Sequence, residues 1–325
     1  MTSPSPLVAI LCPLEFTFSE DAALVENEHL AGAAAVRTFR VAFNAPIPDE
    51  ALTADALILW HSVSITAGIV GKLRNCRAII RNGVGFDSVD TAAAAARGIP
   101  VCNVPDYGTE EVADHSIALT LALVRQLFPL DAEAKRLGWK IEVAAKMRRL
   151  RTLQFGVVGA GRIGTATALR AKALGFRVVF FDPYAPVGTH KALGIERVNT
   201  LDELLGASDV VSLHCPLNRE TLGMIGSREI ERMKPGSFLV NTARGDLVQK
   251  TPVLAALRSG HLAGAGLDVV ENEPLRTAAE AATPNLIVTC HAAFCSPEGL
   301  LEMRSTSAKI AHAAVLGQPV WNRVN

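Results

Sequence analysis

The chain has 325 residues, 49% of them apolar and 20% charged, with 32 basic and 32 acidic side chains and a formal net charge of zero. This length exceeds one ordinary hydrophobic core, so two domains are expected. The charge balance gives no footprint for nucleic acid or an anionic membrane, and no apolar run reaches the roughly 18 residues that span a bilayer.

Residues Met1–Pro6 lack the positive flank of a secretory leader. The six cysteines, Cys12, Cys76, Cys102, Cys215, Cys290 and Cys295, form no C-x-x-C pair. Reduced thiols in a cytoplasmic protein are the expectation. Cys290, His291 and Cys295 lie close together but fit no common zinc spacing, so no metal is expected.

Through the first hundred residues, Leu7–Leu11, Leu57–Trp60, Ala78–Ile80 and Val101-Cys102 read as strands. Between them Glu20–Ala31, Thr66–Leu73 and Thr91–Arg97 read as helices, the last stopped by Gly98 before Pro100. Such alternation predicts a doubly wound parallel sheet. One long helix is predicted over Glu110–Arg136, apolar at Val112, Ile117, Leu119, Leu121, Ala122, Val124 and Leu127. These residues cover more than one face, as in a core helix or at an interface between domains or subunits. Gly138–Thr152 reads as a connection whose basic run Lys146–Arg151 is a solvated loop. From Leu153 a second α/β series begins, with strands at Phe155–Val158, Val178–Phe181, Val210–Leu213, Phe238–Val240, Gly266–Val269 and Leu286–Val288. A last helix, Pro297–Leu316, is expected to pack back on the first half, since the second series is complete without it.

Within the second series, Gly159-Ala160-Gly161-Arg162-Ile163-Gly164 follows a buried strand and opens a helix. The next strand ends on Asp182, eighteen positions after Gly164. In this βαβ context G-x-G-x-x-G marks a dinucleotide site. Gly159 allows the tight turn, Gly161 lets the backbone approach a pyrophosphate, and Gly164 lets the helix pack close to the strand. The first helical turn, with Arg162 and Ile163, offers unpaired N–H groups to the anion. Asp182 is placed to accept from the ribose hydroxyls and to repel a 2′-phosphate, which favours NAD over NADP.

Three late strand ends carry groups able to do chemistry on a substrate beside that cofactor: Asn241–Gly245, Asp268–Pro274 and His291–Ala293. Singly, Arg244, Glu273 and His291 could be an ion-pair partner, a helix-end carboxylate and a core histidine. As a set on adjacent strand ends they read as catalytic. The Gly83-Val84-Gly85 turn could form a backbone anion nest or be an ordinary strand-to-helix turn.

With Phe181-Asp182-Pro183-Tyr184, Leu213-His214-Cys215-Pro216-Leu217, Met233-Lys234-Pro235-Gly236, Leu267-Asp268-Val269, Glu273-Pro274 and Pro284-Asn285 added, the chain resembles the D-isomer-specific 2-hydroxyacid dehydrogenase family from end to end. Ile80–Asp87, Val101–Pro105 and His291-Ala292-Ala293-Phe294 carry a closer likeness to its C-terminal-binding-protein branch. The resemblance implies two doubly wound α/β domains. A flavodoxin-like substrate domain would be formed by residues 1–109 and 297–325, and a Rossmann NAD-binding domain by 110–296, with the active site in the cleft between them. It implies hydride transfer between NADH and a 2-keto acid. Arg244 would hold the keto oxygen and carboxylate, His291 would exchange the proton, and Glu273 would orient His291.

The same resemblance assigns further cofactor contacts to Thr109, Cys215, Pro216, Thr242, Ala243, Asp268 and Ala293, with Asp268 at the nicotinamide carboxamide. It gives substrate contacts to Trp60, Arg81, Val84, Gly85, Tyr107 and Phe294. Tyr107 departs from the closest branch, which has a small residue there. Relatives are dimers through the nucleotide domain, which suits the apolar helix after Glu110. Two rival readings remain open: an NADH-sensing corepressor-like binding protein and a phosphoglycerate-dehydrogenase-like enzyme. The former is expected to carry flanking tails and the latter extra C-terminal domains. Glyoxylate, hydroxypyruvate, pyruvate, phenylpyruvate and branched 2-keto acids all stay open as substrates.

Overall fold

A computed structural model describes residues 5–14, 23–42, 45–61, 63–145 and 147–325. The start of the predicted helix Glu20–Ala31, Lys146 of the basic run and most of Met1–Pro6 lie outside the described residues. The chain divides into two compact units, Met1–Gly108 with Cys295–Asn325, and Thr109–Phe294.

The first unit runs β1 (Leu7–Pro13), α1 (Leu24–Leu30), β2 (Ala35–Val41), β3 (Ala56–Leu59), α2 (Ala67–Lys72), β4 (Ala78–Arg81), α3 (Thr91–Ala96) and β5 (Val101–Cys102). These strands form a five-stranded sheet of order β2-β1-β3-β4-β5, every pair parallel. That order is the flavodoxin-like one. Strands buried on both faces are near-continuous apolar runs, and β1 and β3 fit, with Val8, Ala9, Leu11, Leu57, Ile58 and Leu59 at 0% exposure. The sequence reading passed over β2. It is an edge strand whose Arg37 and Arg40 interrupt the apolar run, and its residues are mostly half-buried or exposed.

The second unit runs α4 (Thr109–Val124), α5 (Leu127–Lys135), β6 (Gln154–Val158), α6 (Arg162–Ala173), β7 (Arg177–Phe181), α7 (Thr189–Leu193), β8 (Glu196–Arg197), α8 (Leu201–Ala207), β9 (Val210–Leu213), α9 (Ser227–Arg232), β10 (Ser237–Asn241), α10 (Lys250–Ser259), β11 (Leu262–Leu267), α11 (Ala278–Ala281) and β12 (Leu286–Val288). Its parallel seven-stranded sheet has the order β12-β11-β10-β9-β6-β7-β8. This is the Rossmann order with one strand added beyond β11, and the order reverses between β6 and β9.

Two expectations are corrected in this unit. The single helix Glu110–Arg136 is broken into α4 and α5 by Gln126, whose φ is +49°. Pro129 explains the break: inside a continuous helix its ring would clash with the carbonyl of residue 125. The strand expected at Gly266–Val269 ends at Leu267 and begins earlier, at Leu262. Small residues there make room for α4, since a Cβ at Gly264 would lie 2.8 Å from Leu123 Cδ2 and one at Gly266 would lie 3.0 Å from Leu119 Cβ. Helix α4 is therefore a core helix of its own unit, with Ile117, Leu119, Leu123 and Val124 packed among Phe155, Val157 and Phe180. The basic run is not purely solvated either, because Arg148 Nη1 donates to Asp209 Oδ1 at 2.7 Å.

The last helix, α12 (Pro297–Val315), belongs to the first unit and packs on α1, β3 and β4. Pro297 opens it and Ser296 caps it by accepting from Gly299 N at 2.8 Å. Arg304 on α12 meets Glu26 on α1 through two bonds, Nε–Oε1 at 2.9 Å and Nη2–Oε2 at 2.6 Å. Beyond α12, Val324 N donates to Val101 O at 2.8 Å, completing the edge beside β5.

Candidate active site

The glycine-rich turn sits at the switch point of the second sheet. Gly159 leaves β6 with φ +93°, and a Cβ there would lie 2.8 Å from Cys215 N on the loop after β9. A Cβ on Gly164 would collide with the Gly159 carbonyl oxygen, so helix and turn approach as only glycine permits. Gly161 differs: a Cβ there would meet no atom within 4 Å. It is the exposed N-cap of α6, and no side chain caps the helix start before Arg162 and Ile163. Open space beside unpaired helical N–H groups fits the pyrophosphate of a dinucleotide.

Asp182 follows β7 and ties this crevice together. Its Oδ2 accepts from Ala160 N and its Oδ1 from Tyr184 N, each at 2.8 Å. Arg197 on β8 braces the same loop, donating to the carbonyls of Asp182 at 2.7 Å and Ala185 at 3.2 Å. Across the crevice, burial pushes the Cys215 thiol up to about 11, so it is a neutral, weakly polar wall beside the exposed Pro216. Burial likewise pushes His214 down to about 3, leaving it neutral against Ser212 Oγ at 2.8 Å.

The late strand ends carry the reactive groups. His291 Nδ1 lies 3.1 Å from Glu273 Oε2, and Glu273 Oε1 accepts from Val270 N at 3.3 Å. Asn241 folds the turn after β10, with Oδ1 accepting from Ala243 N at 3.0 Å and Nδ2 donating to Arg244 O at 2.8 Å. Arg244 Nη1 donates to Ala243 O at 2.7 Å. A Cβ on Gly245 would strike the Val270 carbonyl, so the turn bearing Arg244 packs directly on the segment leading to Glu273. Thr242 is buried, with its hydroxyl 2.7 Å from Ser116 Oγ.

Asp268 is 3% exposed and its oxygens are committed to the loop that carries His291. Oδ1 accepts from Thr289 Oγ1 at 2.5 Å and Ala292 N at 2.9 Å, and Oδ2 from Ala293 N at 3.0 Å. His291 N donates to the Asp268 carbonyl at 2.9 Å. Held this way, His291 has φ +53°, a left-handed backbone uncommon for a non-glycine residue. Sequence reasoning missed His115 on α4, whose Nε2 lies 3.0 Å from Thr289 Oγ1. No motif marks it, because the contact joins positions 174 residues apart. Phe294 meets the His291 ring edge-on, with centroids 6.3 Å apart at 84°.

The remaining residues of the expected site lie at strand ends of the first sheet. Trp60 directly follows β3, Arg81 ends β4, Val84 and Gly85 follow it, and Tyr107 lies beyond β5. Trp60 and Tyr107 are 6% and 8% exposed. The Gly83–Gly85 turn is held by Asn103 Nδ2 donating to Val84 O at 2.7 Å. Thr109, the first residue of α4, has a buried hydroxyl with no partner among the described residues.

Fold and crevice together define a dinucleotide-binding α/β protein of two units. Residues 117–293 match the family model described as D-isomer specific 2-hydroxyacid dehydrogenase, NAD binding domain. The chain is 34% identical to C-terminal-binding protein 1 of Caenorhabditis elegans, over 98% of this chain and 44% of that one. It is 35% identical to D-3-phosphoglycerate dehydrogenase of Mycobacterium leprae, over 84% of this chain and 51% of that one. The chain thus spans about half the length of these curated relatives. Among solved structures, D-lactate dehydrogenase from Aquifex aeolicus, complexed with NAD and lactic acid, superposes with a TM-score of 0.84 at 29% identity, covering 95% of this chain and 96% of that one. The chain belongs to the D-isomer-specific 2-hydroxyacid dehydrogenase family and carries its NAD-binding domain.

Proposed function

We propose that this protein is an NAD-dependent oxidoreductase interconverting a 2-keto acid and a D-2-hydroxy acid. The observation that carries the reading is the pairing of His291 Nδ1 with Glu273 Oε2 at 3.1 Å, beside the turn that bears Arg244. When bound, the reduced cofactor supplies hydride to the keto carbon. His291 gives the proton to the oxygen that becomes the hydroxyl, and takes it back in the reverse direction. Glu273 accepts from Nδ1, which fixes the ring's orientation and tautomer, so Nε2 is the nitrogen that exchanges the proton. Arg244 presents a fixed planar cation to the keto oxygen and carboxylate.

Thr109, Arg162, Ile163, Cys215, Pro216, Thr242, Ala243, Asp268 and Ala293 are proposed cofactor contacts. Trp60, Arg81, Val84, Gly85, Tyr107 and Phe294 are proposed substrate contacts. The three aromatics favour an uncharged substrate side chain. The assignment of substrate binding to the first unit is part of the same proposal, as is a cytoplasmic location. A panel of 2-keto acids read by loss of NADH absorbance tests the reading. Turnover of at least one acid is expected. NADH binding without turnover of any acid would favour instead a dinucleotide-sensing binding protein, the reading supported by the 34% identity to C-terminal-binding protein 1.

Two further outcomes are expected. Asp182→Ala removes a charge that opposes a 2′-phosphate, so the preference for NADH over NADPH should narrow by about tenfold, near 1.4 kcal/mol. Binding titrations with both dinucleotides check it, and an unchanged ratio removes Asp182 from the ribose site. We also propose a homodimer, because Phe128, Leu137, Trp139 and Ile141 project apolar surface at 57%, 98%, 93% and 80% exposure. Phe128 lies on α5, the second part of the stretch expected as one helix over Glu110–Arg136, and the other three lie just beyond it. Sedimentation should give a dimer that Trp139→Asp with Leu137→Asp converts to monomer. A monomeric wild type would end that proposal.

A further inference from the structure

Three loops leave the carboxyl ends of β6, β7 and β9, and contacts join them into a closed circuit. Ala160 on the first loop donates to Asp182 on the second. Two residues on, the Tyr184 hydroxyl donates to Glu220 on the third. The third loop is rigidly built: Glu220 N and Thr221 N donate to Asn218 Oδ1 at 2.8 and 3.1 Å, and Thr221 Oγ1 donates to Pro216 O at 2.7 Å. Cys215, which precedes Pro216, packs its backbone on Gly159 and closes the ring.

The circuit brings two carboxylates to one side of the dinucleotide crevice. Both act on the same hydroxyl. Tyr184 is held above its ordinary value by its hydrogen bond to Glu220 and that group's charge, then by burial and the charge of Asp182. Arg197 braces the loop from the backbone side, donating to the carbonyl oxygens of Asp182 and Ala185.

We propose that Glu220, presented through Tyr184, is a second cofactor-selecting residue that acts with Asp182 to reject a phosphate on the adenosine ribose. The proposal rests on the assignment of this crevice to the dinucleotide. A ribose hydroxyl is neutral and tolerates two acidic neighbours, whereas a 2′-phosphate brings about −1.5 to −2 charges to the same place. Fixing Glu220 to Tyr184 keeps its charge at the ribose end of the crevice instead of letting it swing into solvent. Selectivity is then a difference of affinities built by repulsion.

The test is fluorescence titration of the whole chain with NADH and with NADPH, which needs no turnover. Glu220→Gln should lower the ratio of the NADPH to the NADH dissociation constant about fivefold, with NADH affinity within about twofold of wild type. Tyr184→Phe, which keeps the carboxylate but releases it, should lower the ratio by a smaller factor. Adding Asp182→Asn to Glu220→Gln should lower it further than either alone, and raising salt to about 0.5 M should shrink every difference. A Glu220→Gln protein with the wild-type ratio overturns the proposal, as does equal weakening of both dinucleotides, which would mean a purely structural loop contact. A wild type that binds neither dinucleotide would instead overturn the crevice assignment itself.

Discussion

His291→Ala is expected to lower turnover of a 2-keto acid by about 100-fold to 10,000-fold, the usual contribution of a positioned general acid, while NADH still binds. The binding and chemical roles separate because the glycine-rich turn joins β6 to α6 and Asp182 follows β7, whereas His291 lies beyond β12. Alanine alone would be ambiguous, because residue 291 has φ +53° and a substituted side chain there can strain the loop. His291→Asn is the control. Asparagine tolerates the left-handed region and cannot exchange a proton near neutral pH, so it should be as inactive as alanine while preserving the fold. Steady-state rates and NADH titrations of the three proteins decide the matter. Normal turnover in either variant would show that the proton comes from another group.

Arg304→Ala is expected to cost the first unit about 3–5 kcal/mol, the penalty for stranding a buried charge. The Glu26 side chain is 1% exposed and that of Arg304 17%, and the two meet through a doubly hydrogen-bonded fork. Removing the guanidinium leaves the carboxylate buried against α12 without that partner. Changing both residues, as Glu26→Leu with Arg304→Met, should cost much less, because an apolar pair of similar volume needs no desolvation. Denaturant unfolding followed by two probes, one for each unit, is the appropriate measurement, since two units need not unfold in a single transition. Equal loss in the single and double variants would show that packing, not the charge pair, holds α12 to α1.

The sequence made the alternation of strands and helices legible where each element carried a simple signal. β1 and β3 are apolar runs, β4 and β6 are apolar but for a terminal Arg81 and Gln154, β9 is broken only by Ser212, and α3 is bracketed by the Asp90 cap and Gly98. Elements shaped by their neighbours were harder to read. β2 pays for its edge position with arginines that mask its period, β8 has only two residues, and β11 is thinned by glycines that exist to admit α4. The α4–α5 break was marked by Pro129, whose weight was overridden by the apolar pattern on either side. In the site, the glycine turn announced its own chemistry. The Glu273–His291 pairing was legible only through the family resemblance, because the partners are 18 residues apart and meet only after a short helix and a strand intervene. The part of Asp268 as organiser of the His291 loop was invisible, since it depends on main-chain N–H groups that any residue supplies.

The second unit is one unbroken stretch of chain, while the first is assembled from two stretches on either side of it. During synthesis from the N-terminus, residues 109–294 leave the ribosome with everything their sheet needs. The five-stranded sheet must wait for α12 to cover α1 and for Val324 to reach Val101. Translation therefore imposes an order of assembly in which the interior insert matures first and its host closes last. A translational stall inside α12 should leave the nucleotide-binding unit protease-resistant and the flavodoxin-like unit open to cleavage.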